Sequence, residues 1–200
     1  MPTIRPARTS DAAALARLID IAGEGIPSYF WAFSATGGLG PLDVGATRAA
    51  RPTGGFSYRN AHVVDVAGTP VAMLLGYLQA APEERVPIDE LPAFVRPLLE
   101  LEARTVGTWY LNALATLPAA RGRGYAGRLL PLADRLAARA GADTVTLVVN
   151  SANATAWRLY AGHGFQERER RKVVPMPGRR QSDGAWVLMA RPVAAGPQVA

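Results

Sequence analysis

The chain has 200 residues, 49% of them hydrophobic and 19% charged, which suits one compact domain with a sizeable core. It has no cysteine and only two histidines, so neither a disulfide framework nor a thiol nucleophile is available, and no metal-ligand spacing can be read. The net charge is +6, and Lys172 is the only lysine among 22 basic residues. Arg168, Arg170, Arg171, Lys172, Arg179 and Arg180 are dense enough to attract phosphate. Glu167, Glu169 and Asp183 are interleaved with them, however, and no nucleic-acid recognition motif is present, so a solvated strand face is expected. The first twenty residues contain Arg5, Arg8, Asp11, Arg17 and Asp20, unlike a secretory leader, and no apolar run reaches the roughly 20 residues of a membrane span. A cytoplasmic protein is expected, with one domain over residues 1–192 and a frayed tail over 193–200.

At the amino end, Ile4 to Ala7 reads as an edge strand. Thr9, Ser10 and Asp11 then cap a helix whose Leu15, Leu18, Ile19 and Ala22 share a face and which stops before Gly23. Residues 26–56 hold the aromatic group Tyr29, Phe30, Trp31 and Phe33, followed by a glycine-rich piece; these rings either line an apolar pocket or pack on the sheet. Residues 58–68 and 70–79 form two strand-like runs joined at Ala67-Gly68-Thr69, which predicts a hairpin. The stretch 80–105 carries Pro82, Pro87, Pro92 and Pro97, and the last two limit any helix there to short pieces.

Residues 107–118 read as a strand that stops at Pro118, a residue unable to donate to a ladder. Arg121-Gly122-Arg123-Gly124-Tyr125-Ala126 follows at once and opens a helix in which Leu129, Ala133, Leu136, Ala137 and Ala140 make one apolar face ended by Gly141. A glycine turn running into a helix offers unpaired amides and the positive end of a helix dipole, which suits a phosphate group. Arg121, Arg123 and Arg128 add charge of the right sign. Pro131 crowds the carbonyl of Gly127 and predicts a kink there. Thr144 to Val149 is a β-branched strand, Asn150 to Asn153 a turn and cap, Ala154 to Ala161 a second helix, and Leu159-Tyr160-Ala161-Gly162-His163-Gly164-Phe165 closes the unit. Gln166 to Val174 and Ala185 to Met189 form a last strand pair around a loop with Pro175, Pro177, Gly178 and Gly184. Strands alternating with helices favour an α/β arrangement with ligands at the carboxyl ends of strands.

Residues 111–165 resemble the core of the GNAT superfamily of acyl-CoA-dependent N-acetyltransferases. The family signature, Gln or Arg, two residues, Gly, one residue, Gly or Ala, is met by Arg121, Gly124 and Ala126, and its second motif by Asn153, Ala156, Leu159, Tyr160, Gly164 and Phe165. The resemblance implies an α/β fold: a mixed central β-sheet flanked by helices on both faces, with splayed central strands. It implies that the amides of Gly122, Arg123, Gly124, Tyr125, Ala126 and Gly127, with Arg121, hold the pyrophosphate of acetyl-CoA. It further implies that Leu114, Ala115 and Thr116 pair with pantetheine, that Asn153 touches the pantetheine arm, and that Tyr160 protonates the leaving thiolate. A phenol suits that task, since its reference pKa of about 10 keeps the proton in place at neutral pH.

No covalent intermediate is expected, because no nucleophile with a base can be assembled. Direct attack by an amine of a small molecule in a ternary complex is the reading, with acetyl-CoA as donor and no metal. The neutral amine needs a proton acceptor. Some relatives place a glutamate where Val148 stands, and the first core strand offers Asn112, so Glu100, Glu102, Glu24 or water remain as substitutes. Acetylation of protein amino groups, a non-catalytic CoA-binding module and a basic nucleic-acid-binding domain are the alternatives. In such proteins the last hairpin often mediates a homodimer.

Overall fold

A computed structural model describes residues 1–81, 87–178 and 184–194. Pro82, Arg179, Arg180, Asp183 and the tail 195–200 lie outside the described residues. The chain forms β1 (Thr3–Pro6), α1 (Ala12–Ala22), α2 (Ile26–Ala32), α3 (Pro41–Ala49), β2 (Ala61–Val66), β3 (Thr69–Leu78), α4 (Arg96–Glu102), β4 (Trp109–Thr116), α5 (Tyr125–Arg139), β5 (Thr144–Asn150), α6 (Ala154–Gly162), β6 (Gln166–Lys172) and β7 (Ala185–Pro192). The strands build a seven-stranded mixed sheet of order β1-β2-β3-β4-β5-β7-β6, flanked by helices. The chain divides into two compact units, Met1–Tyr77 with Asn112–Leu132, and Leu78–Leu111 with Ala133–Ala200.

In the first unit, β1 pairs antiparallel with β2, and β2 with β3. The β2–β3 turn places Ala67 at φ 51° and Gly68 at φ 82°, the two positive angles of a tight hairpin turn. Asp65 Oδ1 accepts the Gly68 amide at 2.7 Å and holds the turn closed. Tyr58–Asn60 forms a 3-10 turn, so the expected first strand begins only at Ala61. Its hydrogen bonds go into capping: Ser57 Oγ accepts the Arg59 amide at 3.2 Å. The core gathers Leu15, Leu18 and Ile19 of α1 with Val63, Met73, Leu75, Ala113, Ala115 and Trp31. Trp31 is buried and meets Phe56 edge-on at 6.1 Å, whereas Phe33, two residues on, is 73% exposed. The aromatic group is thus divided, its tryptophan being a core residue.

A side-chain carbon on Gly45 of α3 would fall on the Trp31 ring, so this helix–helix approach requires glycine. Gly45→Ala should lower unfolding stability by about 2 kcal/mol by overpacking, read as a drop in urea midpoint with an unchanged slope.

Asp11 sits beneath Arg5, accepting Arg5 Nη1–H at 2.7 Å and the Arg8 amide at 2.7 Å, while Arg5 also donates to Asp65 at 2.6 Å. The Arg5 hydrogen bond holds the Asp11 carboxyl below its usual range against the opposing effect of burial. Because the folded value is the depressed one, this contribution is fully present above the unfolded value of about 4 and is lost as pH falls through the folded value. Asp11→Asn should cost about 2 kcal/mol at pH 7 and flatten the fall in Tm below pH 4, checked by thermal melts from pH 2 to 7.

In the second unit, β4 runs parallel to β5 at Trp109↔Val145 and Tyr110↔Thr146, and β7 lies antiparallel between β5 and β6. Side chains alternate across these strands, so each set of partners shares a face. One face carries Val145, Leu147, Val149, Val187, Met189 and Arg191; there Arg191 donates twice to Asp134 of α5, at 2.5 and 2.8 Å, and lies 4.8 Å over the Phe165 ring. The other face carries Thr146, Val148, Asn150, Trp186 and Leu188 and is covered by α4, whose Glu100 meets Arg171 of β6 at 2.8 Å. Pro97 lies in the first turn of the seven-residue α4, the position a proline tolerates.

On β6, two of the four basic residues are paired within the chain. Arg170 donates twice to Glu167 at 2.6 Å, and Arg171 serves both Glu100 and Glu169. No described helix is long and apolar enough to cross a membrane.

Candidate active site

β4 delivers the chain to the glycine loop. Its residues alternate, Ala113 and Ala115 entering the core while Leu114 and Thr116 are half-buried on the other side. Ala115 therefore has only its backbone to offer a ligand. Leu117 N–H donates to Val71 O at 2.9 Å, which anchors the strand end on β3. Pro118–Ala120 then makes one 3-10 turn and leaves Arg121 extended, with its Nε–H directed back to Thr116 O at 3.4 Å.

Gly122 and Gly124 stand at φ 75° and 73°, left-handed angles that strain other residues, and the space where a side chain would begin is open at both. Among the described residues, none accepts a hydrogen bond from the amides of Gly122, Arg123, Gly124, Tyr125, Ala126 or Gly127, and the first bond back into the loop runs from Arg128 N–H to Gly124 O at 3.1 Å. The Tyr125 side chain is buried, which leaves its amide for the loop, while Arg121, Arg123 and Arg128 are exposed. Open ground, unpaired donors and exposed guanidinium groups together fit a diphosphate. α5 continues unbroken through Pro131, so the kink expected near Gly127 does not interrupt the helix. Its far end closes as anticipated at Gly141, φ 73°, where Ala142 N–H reaches Ala137 O and Gly141 N–H reaches Ala138 O.

The residues of the second motif lie in the second unit, around α6. Asn153 is exposed and caps the helix, its Oδ1 accepting the Ala156 amide at 3.1 Å, which leaves its amide NH2 as a donor. The turn before it is closed by Asn150, whose Oδ1 accepts the Ala152 amide at 3.0 Å. At the other end, Phe165 N–H donates to Tyr160 O at 3.1 Å and Gly164 N–H to Ala161 O at 3.0 Å, with Gly164 at φ 82°. This is a Schellman cap, and the apolar contact that accompanies such caps is made here by Tyr160 and Phe165, edge-on at 5.8 Å. The Leu-Tyr to Gly-Phe spacing thus has a local structural cause.

Tyr160 is 8% exposed, and among the described residues none hydrogen-bonds its hydroxyl. Burial pushes its phenol above the usual range, so the hydroxyl keeps its proton. Of the carboxylates, Glu24 is exposed on a backbone of φ 52°, and Glu100 is taken up by Arg171. Glu102 is half-buried and accepts Tyr110 O–H at 2.8 Å. Burial raises its carboxyl above the usual range, partly offset by that hydrogen bond. The Glu102–Tyr110 pair escaped sequence reading because eight residues and a turn separate its members; only their common closeness to Gly107 hinted at it. Among the described residues, no group of three His, Cys, Asp or Glu side chains could hold a metal ion.

A mixed sheet with one strand running into a glycine loop and helix defines an α/β protein whose loop amides among the described residues have no acceptor. The profile of the Acetyltransferase (GNAT) family matches residues 48–165, more than half of the chain, and the chain belongs to that family. Three similar solved structures share the fold. An acetyltransferase has TM-score 0.65 at 20% identity, covering 96% of this chain and 99% of its own. An N-acetyltransferase from Staphylococcus aureus Mu50 has TM-score 0.61 at 18% identity, covering 94% and 100%. The yncA protein of Salmonella typhimurium, solved with its cofactor acetyl-CoA, has TM-score 0.60 at 16% identity, covering 100% and 99%. No curated protein matches the sequence.

Proposed function

We propose that this acetyltransferase moves an acetyl or short acyl group from acetyl-CoA to the amine of a small molecule, by direct attack in a ternary complex. The observation that carries the reading is the cradle: six amides without acceptors at a loop whose two left-handed glycines leave open ground. Arg121 and the amides of Gly122 to Gly127 hold the pyrophosphate, the backbone of Leu114, Ala115 and Thr116 pairs with pantetheine, and the Asn153 NH2 donates to a pantetheine carbonyl. Tyr160 gives its proton to the departing thiolate, and burial favours this role by keeping the hydroxyl protonated. The cytoplasm, where acyl-CoA is available, is the proposed location, and residues 1–192 the catalytic domain.

Thiol release from acetyl-CoA, measured across a panel of amines, amino acids and peptides, tests the reading. Turnover that requires a small amine is expected; turnover with peptides alone would refute the acceptor class. Because the Tyr160 phenol is raised, its protonated form persists beyond pH 10. The kcat profile should therefore climb with pH and show no alkaline fall up to pH 10.

A further inference from the structure

We infer that Glu102 accepts the proton of the attacking amine at Oε2, while Tyr110 positions it by donating to Oε1; this rests on the N-acetyltransferase reading. Val148 of β5 has no group that can accept a proton. Val148 shares its face of β5 with Thr146 and Asn150. Tyr110 lies directly opposite Thr146, and the 2.6 Å contact between Thr108 Oγ1 and Thr146 Oγ1 confirms that residues 108, 110 and 146 point the same way. The hydroxyl of Tyr110 thus carries Glu102 onto the Val148 face, where Val148 itself follows Thr146 by two residues, about 7 Å along β5.

Direct attack needs acid and base on different sides of the acyl carbon, because the amine enters as the thiolate leaves. The structure offers that separation. Tyr160 packs on Phe165, which lies under Arg191 and so belongs to the Val145-Leu147-Val149 face of β5. Glu102 belongs to the opposite face.

Among the described residues Glu102 Oε2 has no hydrogen-bond partner, and the charged groups around the pair are committed to one another. Glu100 on α4 is paired with Arg171 of β6, and Glu169 of β6 with Arg171 and with Arg104, which follows α4. β4, β5 and β7 contribute Tyr110, Thr146 and Trp186 to this face, none of them charged at neutral pH. Glu102 is thus the carboxylate on this face without a cation, and burial, which favours its protonated form, suits it to accept a proton near neutrality.

The step balances. The ammonium gives one proton to Glu102, and the freed lone pair forms the C–N bond as the C–S bond breaks. Sulfur takes the phenolic proton of Tyr160, Glu102 releases its first proton to solvent and then takes the second N–H proton, and solvent returns a proton to the phenolate.

The test compares wild type, Glu102→Gln and Tyr110→Phe by acetyl-CoA binding and by kcat/KM against pH with an amine that wild type acetylates. Glu102→Gln should bind acetyl-CoA like wild type, lose roughly 100-fold in kcat/KM at pH 7 and recover at high pH, where the ammonium loses its proton unaided. Tyr110→Phe removes the donor that lowers and orients the Glu102 carboxyl, so its acid limb should move to higher pH and its plateau kcat/KM should fall; a purely structural pair would leave that limb in place. An unchanged profile in Glu102→Gln overturns the assignment while leaving the acetyltransferase reading intact. If Glu102→Gln does not fold, the Tyr110→Phe limb decides. Failure of wild type to turn over any amine removes the parent reading and this inference together.

Discussion

Acetyl-CoA titrated into the wild-type chain should bind with micromolar affinity, and into Gly124→Glu at least 100-fold more weakly. The loss comes from charge and bulk placed in the cradle. At φ 73° a non-glycine residue costs about 1 kcal/mol of backbone strain, while the open ground around the missing Cβ means that nothing in the fold is struck. A carboxylate about 4 Å from the pyrophosphate is repelled by about 4 kcal/mol at an effective dielectric of 20, and solvent screening reduces this to the 100-fold or more stated. Gly124→Ala separates the causes. It carries the same backbone strain without charge, should lose less than tenfold in affinity, and should lower Tm by only a few degrees. Equal affinity in wild type and Gly124→Glu would move the donor away from this loop.

The second large effect belongs to chemistry rather than binding. Tyr160→Phe should lower kcat by about 100-fold or more and leave the KM for acetyl-CoA within a few-fold. The substitution is mild for the fold: the ring that packs on Phe165 is retained, the cap bonds at Phe165 and Gly164 are made by the backbone, and the lost hydroxyl bonds none of the described residues. An intact Tm is therefore expected, which separates this result from unfolding. A thioester whose thiol has a lower pKa needs less protonation on departure, so it should restore much of the lost rate in Tyr160→Phe and change wild type little. Equal rates in both proteins would leave Tyr160 as the aromatic partner of a helix cap and nothing more.

That dual character shows how far the motif can be read from sequence. The spacing from Leu159 to Phe165 is what a helix ending in a left-handed glycine requires, and the structure meets it with a Schellman cap. The same residues satisfy the family motif, so the pattern is legible, and the cap by itself accounts for its spacing. The cradle was more direct. Two glycines at positive φ between a proline-stopped strand and a helix were readable because the constraint is carried by adjacent residues. The hairpin at Ala67-Gly68 was legible for the same reason. The aromatic group near Trp31 was not, because burial depends on partners far along the chain: Trp31 is decided by Phe56 and by the absent side chain of Gly45, and Phe33 is left exposed.

By itself, the sequence determined the strands, α1, α5 and α6, the glycine loop and the capped helix bearing Tyr160, since helical and strand periodicity, proline stops and left-handed glycines act over a few residues; α2 and α3 were not legible in it. The tertiary structure alone decided which carboxylates are spent on cations and which is not, and which face of β5 each side chain takes. Glu100 meets Arg171 across 71 residues and Arg191 meets Asp134 across 57, whereas among the described residues Glu102 accepts a hydrogen bond from the hydroxyl of Tyr110. Burial and ion pairing are properties of neighbours in space, and those neighbours exist only once the sheet has assembled.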